Sequence, residues 1–312
     1  MSHVRTMRRS NRWLRPLQAS GYLEVGLSAL LVSTVGPLVK AIDLPVPVIA
    51  CGRFASAWLI LWGWSALSRA PRCGARVCRW PLVLMGCCTG VGVLCFMTAF
   101  RFMPVANAAL LAYCYPVITA VLAHLFLRER VRGAVGALIL SAAGALLIGV
   151  QGVRGGLAGD WRGPVLALTA ASLGSIEVIL MKRMTAAVPL DTLNLYRYGV
   201  AAVLVAPLAV GSLSGITGRE AGVVAMLGIV QTALVAVVYV RGIQKAEVHK
   251  AAILSYLEPL SATLLAWLFL AEQPTAWTLA GGGLILAGSY LVVRGAAAAG
   301  RAQQVAHLVK NG

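Results

Sequence analysis

Ten apolar runs of about 20 residues follow one another along this chain, separated by short segments that hold most of the charged residues. As an α-helix, a run of that length crosses the ~30 Å hydrocarbon core of a bilayer. Proline and glycine stand at several run boundaries, which is typical of helix ends. The pattern predicts ten transmembrane helices, at about residues 22–40, 46–68, 81–102, 104–126, 132–150, 163–183, 190–211, 219–241, 250–271 and 275–293.

Composition supports this interpretation. The 312 residues are 59% apolar and only 12% charged, which is too few charged side chains to cover a water-soluble domain of this size. The N-terminus is arginine-rich and then apolar, like the start of a signal peptide. Because nine further runs follow, we interpret the first run as an uncleaved helix.

The C-terminal half of the chain repeats the N-terminal half at an offset of 143 or 144 residues. The aligned pairs include Pro116 with Pro259, Ala109 with Ala252, Glu129 with Glu272, and Arg53 with Arg197. Five runs per half is an odd number, so the second half must enter the membrane from the opposite side. Inverted repeats of this kind are typical of carriers that alternate access to a central site.

The predicted fold is therefore an all-α membrane protein whose ten transmembrane helices form two inverted five-helix repeats. The repeats are expected at 22–150 and 163–293, joined by a Gly-rich external linker at 151–162. A basic tail at 1–21 and a second tail at 294–312 complete the chain. The two halves are not expected to fold independently.

The net charge of +17 lies mainly on alternate connections. If the N-terminus is cytoplasmic, 20 of the 27 Lys and Arg residues fall in cytoplasmic segments, five fall outside and two fall within runs. This asymmetry is the positive-inside signal and predicts that both termini are cytoplasmic. Topology thus accounts for the charge, and nucleic-acid binding is not expected.

Glycines crowd the last run of each half. They are Gly144, Gly149, Gly281, Gly282, Gly283 and Gly288. Small residues at near-helical spacing allow two helices to approach closely. Packing within the bundle is the favoured interpretation, and a homodimer interface through spans 5 and 10 is the alternative.

Two short motifs resemble the drug/metabolite transporter superfamily, and within it the EamA-type family of ten-helix carriers. They are Leu257-Glu258-Pro259 with the apolar run to Glu272, and the first-half counterpart from Tyr115-Pro116 to Glu129. The resemblance covers about residues 22–293 and implies a cavity between the halves that opens alternately to each side. It implies transport of small metabolites, amino acids or drugs, often outward, and location in a bacterial inner membrane. The tryptophan common in the first helix of such carriers is absent, and Val32 to Val35 stand there.

Ionisable residues within the runs are the candidate coupling groups, since they are costly in a membrane and usually face the bundle interior. Glu177, Arg197 and Glu258 lie at similar predicted depths. The first two are the natural pair, either as a structural ion pair or with a glutamate that exchanges a proton or contacts a substrate amine. Arg53 has three possible roles: reaching outward to the surface, capping carbonyls, or meeting a substrate carboxylate, with structural use favoured.

Glu258 is the stronger candidate of the two glutamates. Ser255, Glu258 and Ser261 have the spacing of one helical face. The helix-kink candidates are Pro116 and Pro259, and the latter leaves the Ser255 carbonyl without its helical donor. A carboxyl beside a free carbonyl is a candidate proton or ligand site.

A second set of polar and aromatic residues forms the candidate substrate cavity, since aromatic walls with a few polar groups hold small molecules. These residues are Thr34, Asn107, Tyr113, Cys114, Ser175, Gln231, Tyr239, Ser255 and Tyr256. Asn107 and Cys114 are seven residues apart and are expected to share a helix face. Tyr256 could instead lie at the membrane interface, and His124 is expected to be a passive interface residue.

The sequence contains no common motif for nucleotide binding or for hydrolytic catalysis. The sequence has no P-loop, His-Glu-x-x-His or Gly-x-Ser-x-Gly pattern, so no cofactor or catalytic residue is predicted. Cys73 and Cys78 share a loop without a second ligand pair, so no metal site is expected. The sequence thus favours a secondary transporter, with proton-coupled efflux as the leading hypothesis. Uptake or exchange is the main alternative, and a membrane-embedded enzyme or a channel is less favoured.

Overall fold

The computed structural model describes residues 20–67, 79–127, 134–154, 161–184, 188–213, 215–245, 254–291 and 294. Nearly all of both predicted tails, half of the predicted linker, the Cys73–Cys78 pair and Glu129 lie outside these residues. Every regular element within the described ranges is helical. All the predicted site residues lie within them.

The first half supplies five helices, as the apolar runs predict. They are α1 (Ser20–Lys40), α2 (Val46–Leu67), α3 (Trp80–Phe102), α4 (Val105–Ala112 and Tyr115–Leu127) and α5 (Ala134–Arg154). α4 is broken by a two-residue turn at 113–114, and α1 is interrupted at Thr34. The Thr34 hydroxyl donates to the Leu31 carbonyl there, at 2.7 Å.

The second half repeats this order. Its helices are α6 (Arg162–Met184), α7 (Leu190–Val210), α8 (Gly218–Gly228, Ile229–Leu234 and Val235–Lys245), α9 (Leu257–Leu270) and α10 (Ala276–Leu291). The middle part of α8 is a π-helix, which the sequence analysis did not predict.

Several helices begin where local chemistry supplies a start signal. Pro104 and Pro189 precede the first turns of α4 and α7, where a missing N–H costs nothing. Thr217 and Glu220 form a capping box at the start of α8. α9 ends at Ala271, whose φ of 54° is left-handed and stops the helix.

Seven of the described helices are long and apolar enough to span a membrane. Shorter apolar helices lie at Val135–Ile148, Leu257–Leu270 and Ala276–Leu291, within α5, α9 and α10. Large apolar side chains such as Trp62, Trp267 and Phe269 point outward and are about half or more exposed. An apolar exterior of this kind fits a lipid environment, so the fold is the predicted ten-helix membrane protein.

The two halves interlock. α3 packs against both α6 and α7, α2 packs against α7 and α8, and α4 packs against α9. One apolar core contains residues of both halves, including Phe54, Met97 and Tyr198. Because each half completes the core of the other, separate folding of either half would leave much of this surface uncovered.

The glycine-rich surfaces of α5 and α10 face each other within the chain. A Cβ on Gly144 would lie 2.4 Å from the Gly281 carbonyl oxygen, and one on Gly288 would lie 2.7 Å from the Ala137 carbonyl oxygen. Only glycine permits backbones to approach this closely. These glycines therefore serve packing within the chain, and a homodimer through these helices stays an untested prediction.

Candidate substrate and coupling site

The break in α4 meets the turn that precedes α9. The Tyr113 hydroxyl donates to the Ser255 carbonyl and lies 3.1 Å from the Glu258 Oε2 atom. Pro259 lacks the N–H that would otherwise bond this carbonyl in a continuous helix. This carbonyl accepts instead from the Glu258 backbone N–H at 3.1 Å, and a tyrosine from the other half of the molecule adds a second donor.

Glu258 lies deep in the protein yet keeps some accessible surface. It forms no ion pair with any described residue. The groups that face it are the Tyr113, Tyr115 and Tyr239 rings, and the Arg53 guanidinium at a distance beyond ion-pair contact. A carboxylate in this setting is solvated by few groups, so binding a proton or a cation would relieve a large desolvation cost.

Tyrosine rings form one wall of this site. The Tyr113 ring centroid lies 5.7 Å from that of Tyr115 and 6.0 Å from that of Tyr256, both in edge-on arrangements. The Tyr256 hydroxyl is buried and has no partner among the described residues. The polar end of Tyr256 thus points into the protein, and its place in the substrate cavity or at the membrane interface stays a prediction.

Ser255 does not share a regular helical face with Glu258 and Ser261, although the sequence had predicted that it would. Ser255 lies in the turn before α9, so the regular helical spacing does not extend back to it. Its side chain interacts with the hydroxyl of Tyr239. Ser255 thus contacts the site through its backbone carbonyl, which bonds Tyr113, and through its side chain, which contacts Tyr239.

Arg53 is held by the π-helical segment of α8. Its Nε donates to the Thr232 hydroxyl at 2.6 Å, and this hydroxyl donates to the Leu227 carbonyl. The Gln231 amide nitrogen donates to the Thr34 hydroxyl at 3.2 Å, whereas its Oε1 atom is buried without a partner. Arg53 thus bonds α8 of the other half, and its three predicted roles stay predictions.

Glu177 and Arg197 form an ion pair of 2.7 Å. Thr89 of α3 lies between them, donating to Glu177 at 2.8 Å and accepting from the Arg197 Nε at 3.2 Å. α3 packs against both α6 and α7, so it joins the two charged residues. This closed network satisfies both charges locally.

Several predicted cavity residues make hydrogen bonds between helices or lie at a helix break. Asn107 accepts from the Thr278 hydroxyl of α10 at 2.8 Å, and Ser175 donates to the Tyr115 carbonyl at 3.0 Å. Cys114 is buried in the α4 break, which ends the helical spacing that was expected to place it on one face with Asn107.

One ion pair lies at each end of the bundle. Lys40 of α1 pairs with Glu272 after α9, and the Glu272 Oε2 atom also accepts from the Val105 backbone N–H at 2.8 Å. At the other end, Lys245 of α8 pairs with Glu24 of α1. These contacts tie α1 to three helices that line the tyrosine site.

An apolar cleft of about 520 Å³ lies between α2 and α7, walled by Trp58, Trp62 and Val203 among others. It holds none of the predicted site residues. Within the described ranges, no group of three or more His, Cys, Asp or Glu side chains could hold a metal ion.

Comparison with known proteins decides the family. The profile of the EamA-like transporter family matches residues 19–150 and 161–294, one copy on each repeat. The chain belongs to the EamA-like transporter family. It is thus a multi-pass membrane transporter with two family repeats.

Two curated relatives of this EamA-like chain are transporters by name. The pseudopaline exporter CntI of Pseudomonas aeruginosa is 26% identical over 272 residues, which cover 86% of this chain and 94% of the relative. An uncharacterized transporter of Archaeoglobus fulgidus is 27% identical over 284 residues, covering 90% and 99%. A solved crystal structure, 21% identical, matches with a TM-score of 0.62 over 88% of this chain and 97% of that one, which supports the fold alone.

Sequence reasoning did not single out Thr89 and Thr232. Each accepts a hydrogen bond from an arginine of the opposite half, and they lie 143 positions apart in the sequence. The repeat offset could have identified them, because Arg53 and Arg197 are themselves repeat partners. The π-helix beside Thr232 has no comparable signal in the sequence.

Proposed function

We propose that this EamA-like chain is a proton-coupled exporter of a small, amino acid-like or drug-like metabolite, a carrier and not an enzyme. It works by alternating access in the inner membrane, with both termini in the cytoplasm. The observation that carries the proposal is the half-buried Glu258 carboxyl beside Tyr113 and the Ser255 carbonyl.

Hydrogen-bond counting supports a proton on Glu258. The Tyr113 hydroxyl has one hydrogen but two acceptors within reach, the Ser255 carbonyl and Glu258. When this hydrogen points to the carbonyl, the contact with Glu258 needs a hydrogen from the carboxyl. A protonated Glu258 supplies it, and an ionised Glu258 draws the tyrosine hydrogen away from the carbonyl.

The same carboxyl suits the ammonium group of a substrate. Glu258 has no cationic partner in contact among the described residues, and tyrosine rings beside it offer faces that attract a cation. A proton and a substrate ammonium group would then compete for one carboxylate. Competition of this kind couples outward movement of the substrate to inward movement of a proton.

The ion pairs at the two ends suit the alternation. Opening the Lys40 end requires α1 to separate from Glu272, and opening the other end requires it to separate from Lys245. Both are partly exposed pairs, which contribute only about 1 kcal/mol each and so can exchange. Export as the direction is supported by the name of the Pseudomonas relative, and cytoplasmic termini are supported by the charge asymmetry.

The test is substrate counterflow in proteoliposomes over pH 5 to 9, with wild type and Glu258→Gln. Wild-type binding of an amine-bearing substrate is expected to weaken as pH falls, because protons occupy Glu258. The Gln variant is expected to bind weakly at every pH and to lose the pH dependence. Tyr256→Phe, which removes a nearby hydroxyl without changing charge, is the control and should keep the wild-type slope. A Gln variant with wild-type pH dependence would refute the coupling role.

A further inference from the structure

The two repeat-related arginines are held in the same way. Arg53 donates through its Nε to Thr232, and Arg197 donates through its Nε to Thr89. In both cases the arginine of one half bonds the threonine of the other, so the pseudo-twofold relation exchanges the two sites. The two arginine sites can therefore be compared directly within one molecule.

The two sites differ in charge. Arg197 is neutralised by Glu177 at 2.7 Å. Glu177 aligns with Ser33 at the 144-residue offset of the two arginines and with Thr34 at the 143-residue offset, and both are uncharged. Thr34 accepts a hydrogen bond from Gln231. Arg53 consequently has no ion pair with any described residue, and the nearest carboxyl that interacts with it is that of Glu258, beyond contact.

The helix that supports Arg53 is also irregular. α3 is a regular α-helix at Thr89, whereas the Thr232 hydroxyl of α8 donates to the carbonyl five residues earlier, that of Leu227. α8 thus departs from the regular helix of α3 at this point, through its π-helical turn. Such turns recur at functional sites. Here the turn carries Gln231, whose Oε1 is buried and unpartnered.

We infer that Arg53 binds a carboxylate group of the transported molecule. Arg53 is half-buried and has only its Nε engaged among the described contacts, which leaves two terminal nitrogens for a planar, bidentate acceptor. The unpartnered Gln231 oxygen offers an acceptor for a neighbouring donor. A monoanion suits the site better than a dianion, because Glu258 already faces it. This inference rests on the proposed transport function and defines one end of its substrate.

The repeat suggests the test. Thr34→Glu is expected to place a carboxylate against Arg53 as Glu177 lies against Arg197, and Thr34→Gln provides the same size without the charge. The probes are sodium acetate, the twenty L-amino acids and their carboxamides. Dissociation constants come from ligand-induced thermal stabilisation of the purified protein. A cooperative melting transition in each variant establishes that it is folded.

At least one carboxylate is expected to stabilise the wild type, with its carboxamide binding about 30-fold more weakly, the scale of a lost charge-assisted hydrogen bond. Arg53→Gln should show the same loss, and Thr34→Glu should bind carboxylates about 30-fold more weakly than Thr34→Gln. The inference is overturned if no carboxylate binds, if amides bind as well as acids, or if the two Thr34 variants bind alike. A third outcome is that carboxylate binding depends on Arg53 while Glu258→Gln keeps the wild-type pH dependence. That result would refute the proposed proton coupling and leave the carboxylate site supported.

Discussion

Replacing Glu177 by glutamine is expected to destabilise the protein strongly. Glu177 is 7% exposed, and its carboxylate is shared between Arg197 at 2.7 Å and Thr89 at 2.8 Å. The variant leaves the Arg197 charge in the bundle without its counter-ion. Removing one member of a buried pair typically costs roughly 3–5 kcal/mol, because the remaining charge stays desolvated.

The free energy of unfolding can be measured by titrating the protein in mixed micelles with a denaturing detergent, following tryptophan fluorescence. The double variant Glu177→Gln with Arg197→Gln should regain much of the loss, since it leaves no unpaired charge. Glu24→Gln is the matched control, because its pair with Lys245 is more exposed and contributes about 1 kcal/mol or less. A single-variant cost below about 1 kcal/mol, or strict additivity in the double variant, would refute a structural ion pair.

Three other perturbations have defined outcomes. Gly144→Val should destabilise the protein by about 1–3 kcal/mol, since its Cβ would lie 2.4 Å from a backbone oxygen of α10. In the same denaturant titration, Gly136→Val on the same helix should be nearly neutral, because its Cβ would meet nothing within 4 Å. Pro259→Ala supplies an N–H that competes with the tyrosine for the Ser255 carbonyl, so counterflow should fall about tenfold, the equivalent of one hydrogen bond. An unchanged rate would argue against a role for this carbonyl. A Lys40→Cys, Glu272→Cys pair in a background without native cysteines should cross-link on oxidation and stop counterflow until reduced, whereas either single variant should be insensitive to oxidant.

The membrane fold could be predicted from the sequence because each helix is specified by the length and composition of its own segment. Run length, apolar composition and the repeat offset predict ten helices and their inverted order, and the structure contains these helices at nearly the predicted positions. The Glu177–Arg197 pair was proposed from similar depth in the membrane. The prediction lacked Thr89, which connects the two residues from a third helix.

The site was less predictable, because helical spacing holds only within an unbroken helix. The break at 113–114 and the turn at 255–256 end the regular faces on which the groups around Asn107 and Ser255 were placed. The same breaks bring Tyr113 to the Ser255 carbonyl, a contact between residues 142 positions apart. Two prolines indicated that the helices bend, but the direction of each bend depends on what packs against it.

By itself, the sequence determined that this chain spans a membrane as two inverted repeats, because hydrophobic length and periodicity are properties of each segment alone. Only the tertiary structure decided which arginine is neutralised. Arg53 and Arg197 occupy equivalent positions in the repeat, and both bond a threonine of the other half. Their difference lies in a third residue on another helix, a glutamate in one case and Thr34 in the other, and in a π-turn of α8. Charge balance at a buried site depends on neighbours brought together by packing, and packing is decided by the whole bundle.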